Sequence, residues 1–442
     1  MPESPPLETL VREQEFAVQL GEHRTGFFQL LARLQADVAG ASGSRGLHKP
    51  HYFHLIQGAN DLETFLDDHG ARYNRTFRSF TELVAGLRGF AQAGYRMAHV
   101  RGRLGSYGAD QWRPEGLADQ TRAAIDRGLA FVEKGVDSLC GALSSEAQAL
   151  GLPSPDRPLE EARFLPVQAR TMLPRNVGQD DLVDEEQKIA EVASKFLQAC
   201  QLLVDIDVRP IFEPESRHQY LASVCTEEQA RVYEAVVHNL QSTYDTYIKN
   251  TVLEARDARL PTLRGLASTV LHLLEAITEL THFHERHESE VRATRSGERM
   301  AEVIPRSDVE EVVLCDLLVT ARRLLEVGRE VASDLLPSYL TVQELEIDLL
   351  DGLTVHARPA ALIVGIVNHH GTPVEMQLGD RRCNAGSILE LLVTVGSRPD
   401  SRTFVFRGDQ HPLRDIATLF ESGLGEQGIE RLPDSLSYLR AR

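Results

Sequence analysis

The sequence predicts a multidomain chain: a large all-α N-terminal region of helical bundles, then a small α+β domain with a four-stranded antiparallel sheet. Two observations carry this. Apolar residues recur at helical spacing from about Glu8 to Leu336, and at about Thr341 the period changes to strict alternation. A third sets the scale: 442 residues suffice for two or three domains, each with its own core.

Within the helical region, Leu62, Phe65, Tyr73, Phe77, Phe80, Val84, Leu87 and Phe90 step by threes, fours or small multiples, which puts them on one face. Two S/T-x-x-E/Q sequences mark helix starts. Thr226–Gln229 opens a helix running through Val236 and Tyr247, and Ser307–Glu310 opens one through Leu314, Leu318 and Leu325. Breaks fall at "GLPSPDRP" (151–158), "LPRNVGQDD" (173–181) and "SGERMAEVIPRS" (296–307). The expected division is a helical bundle over 1–172, a second over 173–340, the α+β domain over 341–430 and a tail over 431–442.

In the α+β segment, "ELEIDLL" sets Leu345, Ile347 and Leu349 against Glu344, Glu346 and Asp348, the pattern of a half-buried strand. "PVEMQL" repeats the alternation with Val374, Met376 and Leu378. A Gly379-Asp380 turn leads to the short "RRCN", and "RTFVFRG" (402–408) is the fourth strand. Helical patterns at 357–370, 387–395 and 412–423 lie between and after them. The order is β-α-β-β-α-β-α, with helices covering one face of the sheet.

Composition excludes some functions. Lys and Arg total 47 against 65 Asp and Glu, a formal charge of −18. Nucleic acid and anionic membranes need clustered Lys and Arg, so neither is expected as a partner. No stretch has the roughly 20 apolar residues of a membrane span. The start, "MPESPPLETLVREQEF", lacks the basic and apolar regions of a signal peptide. A cytoplasmic protein is expected. Cys140, Cys200, Cys225, Cys315 and Cys383 form no CxxC pair and read as reduced thiols. No cofactor and no metal is expected, and the oligomeric state is open.

"DGLTVHARPAALIV" (351–364) places a histidine where the first strand's loop meets the first helix. Pro359 fits a first helical turn, because its missing N–H costs nothing there. The free amides of that turn, from Ala357 to Ala360, favour an anion and leave a neutral imidazole nitrogen free to attack. Arg358 can fork onto phosphate oxygens at the same spot. A nucleophilic histidine, an amide nest and a guanidinium suit reversible phosphoryl capture.

These residues, Val355-His356-Ala357-Arg358-Pro359-Ala360 in this strand-to-helix context, resemble the G-[LIV]-H-x-R-P-[AS] motif of HPr. HPr is the histidine-containing phosphocarrier of the bacterial phosphotransferase system. The resemblance covers about Glu344–Glu426, a fifth of the chain. It implies an open-faced sandwich and His356 as phosphoryl acceptor at Nδ1, with Arg358 as its phosphate clamp. It implies as partners an enzyme I-like donor and a downstream acceptor protein, and a phosphoryl carrier rather than a classical enzyme. Ser387 matches the family's regulatory serine; Ile388, Leu389 and Leu392 match its docking patch. Thr354 stands where the family has glycine, Gly386 where it often has lysine, and Glu390 adds a charge that should weaken docking onto an acidic donor.

The alternative is an adaptor whose HPr-like domain serves only for protein–protein binding. Either way, a helix of 173–336 is expected to pack near the patch and control access to His356. Elsewhere, "THFHERHE" (281–288) packs three histidines together but is one residue short of HExxH spacing, and reads as a charged helix face. "RGRLGSYG" (101–108) has no strand ahead of it and reads as a plain loop.

Overall fold

The structure is a computed structural model that describes residues 10–39, 46–152, 157–160, 185–204, 208–288 and 300–441. The expected break at 173–181 lies outside these residues. The chain forms two compact units. One comprises Met1–Pro174, Leu203–His238 and Gly265–Leu325; the other comprises Arg175–Leu202, Asn239–Arg264 and Glu326–Arg442. Residues 173–340 are therefore shared between both units.

The first unit is helical. Its elements are α1 (Glu13–His23), α2 (Thr25–Ala39), α3 (Lys49–Asp68), α4 (Arg78–Arg103) and α5 (Leu117–Ala149). Helix α4 is its centre, packed against both α3 and α5, with Phe80, Val84, Leu87, Phe90, Met97 and Val100 fully buried. The apolar stripe expected across this region holds except at Tyr73, which is 89% exposed. It falls in the 3-10 turn Ala71–Tyr73 that separates α3 from α4, so helical spacing does not carry through it. "RGRLGSYG" is the end of α4 and a 3-10 turn, with no strand near.

Within this unit Lys49 Nζ lies 2.8 Å from His99 Nδ1, and His99 meets His272 edge to face. Burial, His272 and the charges of Lys49, Arg103 and Arg96 push the His99 imidazole down from 6.5 to about 4. Below pH 6.5 the unfolded chain takes up a proton that the folded chain refuses. Stability is thus complete above that pH and is lost as pH falls toward 4. For a ring this exposed to solvent screening, the loss should be about 1–2 kcal/mol. Urea unfolding at pH 7 and pH 4.5 should show it, and His99→Gln should flatten the difference.

Helix α6 (Glu185–Val204) follows, then α7 (Pro214–Val224) and α8 (Glu227–Tyr247). The capping box expected at Thr226–Gln229 is formed in both directions. Thr226 N donates to Gln229 Oε1 at 2.8 Å, and Gln229 N donates to Thr226 Oγ1 at 3.2 Å. The short α9 (Val252–Arg256), the 30-residue α10 (Arg259–Glu288) and α11 (Arg306–Glu311) come next. A π-helical segment, Val312–Leu318, then leads into α12 (Val319–Leu335). The box expected at Ser307–Glu310 does not form. The helix starts at Arg306, Ser307 Oγ donates to Asp308, and the Glu310 carboxylate is turned to two histidines instead. All five cysteines are free, and among the described residues no helix is long and apolar enough to cross a membrane.

The second unit carries the sheet: β1 (Val342–Asp348), β2 (Val374–Leu378), β3 (Arg381–Asn384) and β4 (Thr403–Asp409), in the order β1-β4-β2-β3, every pair antiparallel. Helices α13 (Ala357–His370), α14 (Ile388–Ser397) and α15 (Gln410–Glu421) complete the expected β-α-β-β-α-β-α order. Phe406 sits between Leu345 of β1 and Met376 of β2. With Phe404 and Phe420 it forms an aromatic cluster in the core. Burying each phenyl ring contributes roughly 1.5–3 kcal/mol. The opposite face is charged and open, with Arg407 paired to Glu344 and Arg382 to Glu375. Residues beyond 430, expected as a tail, add Leu432, Leu436 and Leu439 to the core.

Candidate functional site

His356 is the N-cap of α13, reached from β1 through a loop that turns at Gly352, where φ is +80°. Arg402 holds this loop by donating to the carbonyls of Leu349 and Leu350, both at 2.7 Å. Val355 on one side and Pro359 and Ala360 on the other are buried, while His356, Ala357 and Arg358 are exposed. The buried neighbours anchor the turn, and His356, Ala357 and Arg358 face water.

Each nitrogen of His356 has its own near neighbour. Nδ1 accepts from the Arg358 amide at a long 3.4 Å, and Nε2 lies 2.7 Å from Glu426 Oε1. The approach of Glu426 to Nε2 is an ion-pair distance without hydrogen-bond geometry, and Glu426 Oε1 is buried with no hydrogen-bond partner among the described residues. Nδ1 faces the helix's first turn. The Arg358 side chain makes no ion pair or hydrogen bond among the described residues, and it is the Arg358 backbone amide that meets Nδ1. Of the first-turn backbone N–H groups, that of Arg358 is engaged weakly by Nδ1, Pro359 has none, and the Ala360 amide donates to the His356 carbonyl at 3.0 Å, which leaves that of Ala357.

Glu426 is the residue that sequence reasoning did not single out. It leaves a turn in which Gly423, Leu424 and Gly425 all have positive φ. Leu424 is fully buried in the core, and a Cβ on Gly425 would meet Leu362 Cδ1 of α13 at 2.6 Å. The loop thus presses against α13 and delivers the carboxylate to the helix's first turn. The run "GLGE" was the available signal, since glycines flanking an apolar anchor mark a tight turn with a fixed exit.

Ser387 is the N-cap of α14, its Oγ accepting from Glu390 N at 3.4 Å. Glu390 reaches back in turn, and Asn384 N donates to its carboxylate at 3.0 Å. Its charge is therefore tied into the helix start. Ile388 is 43% exposed and Leu389 70%, whereas Leu392 is partly buried against the core and Val393, at 62%, takes its place on the surface. α14 packs against α13, so patch and histidine belong to one helix pair.

The helix contact seen on α13 is at its other end. Gln187 Nε2 of α6 lies 3.0 Å from His370 Nδ1, and His370 Nε2 pairs with Asp415 at 2.8 Å. Gly371, in the left-handed conformation that ends α13, lets Glu191 approach so closely that a Cβ would meet its Cγ at 2.6 Å. Fourteen residues of helix separate the two ends, about 20 Å. The contact that α6 makes with α13 is therefore at the end away from His356.

No protein-family model, no curated protein and no solved structure matches this chain.

Proposed function

We propose that the C-terminal α+β domain is an HPr-like open-faced sandwich and that His356 is its phosphoryl acceptor. The observation that carries this reading is the setting of the two ring nitrogens. The Glu426 carboxylate lies 2.7 Å from Nε2, while Nδ1 faces a weak amide contact that a phosphoryl oxygen can take over. Nδ1 attacks phosphorus as the bond to the donor breaks. The ring becomes cationic with its proton still on Nε2, where Glu426 stabilises the new charge. Arg358 and the free amides bind the phosphoryl oxygens. Transfer onward reverses these steps at a second protein.

In this reading the chain is a cytoplasmic phosphotransferase-system-type phosphocarrier or regulator, charged by an enzyme I-like donor and discharged to an acceptor protein. The helical region supplies regulation or partner binding. A phosphoryl group adds nearly two negative charges, enough to bias an interface. Ser387 is a candidate for regulatory phosphorylation, since phosphate there would replace the helix cap that its hydroxyl provides.

The test is labelling of the full chain with enzyme I and labelled phosphoenolpyruvate. Label should be acid-labile and base-stable, vanish in His356→Ala and survive in Ser387→Ala. Label persisting in His356→Ala would refute the assignment. A folded wild-type chain that takes up none would favour the adaptor reading.

A further inference from the structure

In the first unit, three helices bring three side chains to one point. His218 comes from α7, His284 from α10 and Glu310 from α11. Their donor atoms all lie within 4.8 Å of one another. His218 Nδ1 is 2.8 Å and His284 Nε2 2.9 Å from the same oxygen, Glu310 Oε1. An ion with bonds of about 2.0–2.1 Å holds its ligand atoms about 2.9 Å apart at right angles and about 3.3 Å apart at tetrahedral angles. The cluster therefore closes on an ion directly in the first geometry and by opening about half an ångström in the second. Among the described residues no other group of three His, Cys, Asp or Glu donors is gathered this closely.

Two further observations separate this cluster from an ordinary buried hydrogen-bond network. Immediately after Glu310 and Glu311 the chain leaves α-helical geometry for the π-helical segment Val312–Leu318. π-Helical turns are rare and concentrate at functional sites. His284 also lines an open cleft of about 420 Å³, with Leu221, Cys225, Thr226 and Thr281 among its walls. Glu310 is buried and His284 nearly so, whereas His218 is 46% exposed, so the point is held from inside and reached from outside. Arg217, next to His218, has its own anchors in the Ser307 carbonyl and Glu311.

We propose that His218, His284 and Glu310 form a binding site for a divalent first-row transition metal. Two imidazoles and one carboxylate select such ions over Mg2+ and Ca2+, which prefer all-oxygen shells. Three protein ligands leave a coordination position open, as in catalytic rather than structural sites. An exogenous oxygen ligand, water or an anionic group of a small molecule, would take that position from the cleft. The stretch "THFHERHE" supplies one ligand of the three. The other two come from segments distant in sequence, which is why spacing alone did not reveal them.

The test uses the untagged full chain, stripped with a chelator and titrated with Co2+, whose visible absorption reports nitrogen and oxygen ligation. One equivalent should bind, Zn2+ should displace it, and Mg2+ and Ca2+ in excess should not. His218→Gln, at a half-exposed position that tolerates substitution, should abolish stoichiometric binding while circular dichroism stays that of the parent. His272→Gln should retain it, because His272 meets Glu275 and His99 and none of the three proposed ligands. A folded parent chain without the Co2+ band, or a folded His218→Gln chain with undiminished binding, would overturn the proposal.

Discussion

Glu426→Ala should slow phosphoryl uptake at His356 roughly 10- to 100-fold, the range seen when an orienting partner of a functional imidazole is removed. In the proposed reaction the carboxylate 2.7 Å from Nε2 opposes the positive charge that develops on the ring, and its proximity favours a proton on Nε2 over one on Nδ1. Glu426→Gln isolates the charge, because it keeps a side chain of the same shape beside Nε2 but carries no charge. An intermediate rate is expected for it. Single-turnover uptake of label, with donor docking held constant by saturating enzyme I, measures both variants. An unchanged rate in Glu426→Ala would remove the carboxylate from the mechanism.

The second large effect concerns stability. Gly265→Ala should destabilise the first unit by about 3 kcal/mol. Glycine inside a helix costs about 1 kcal/mol relative to alanine, so its presence early in α10 needs a reason. A Cβ there would meet the Tyr107 carbonyl oxygen at 2.0 Å. That neighbour is backbone, and α10 or the turn at Gly105–Tyr107 must move to relieve it. A melting-temperature loss of roughly 6–10 °C is expected. Gly141→Ala is the matched control, since nothing lies within 4 Å of a Cβ at that position of α5. It should leave the melting temperature unchanged or raise it slightly.

These two residues also mark where the sequence is and is not legible. Alternation at 344–350, 373–378 and 402–408 read correctly as strands, because a sheet with one wet face writes its period directly into the chain. His356 and Arg358 were legible because they are two apart at a helix start, where local geometry alone sets their positions. Glu426 was not, since it meets His356 across seventy residues through a turn whose exit direction only the packed core determines. Glu310 misled for a related reason. Ser307–Glu310 has the letters of a capping box, but the histidines of α7 and α10 take that carboxylate. Local patterns state what a residue can do nearby. Tertiary partners decide what it does.

The proposed reaction places the phosphoryl group on Nδ1 of His356, with the Glu426 carboxylate beside Nε2. Its most direct test is 31P and 15N NMR of the full chain carrying 15N-labelled histidine, after phosphorylation by enzyme I and phosphoenolpyruvate. The expected result is one phosphorus signal coupled to Nδ1 of a single histidine, with Nε2 of that ring protonated, both absent in His356→Ala. Phosphorus coupled to Nε2, or on any other residue, would contradict it.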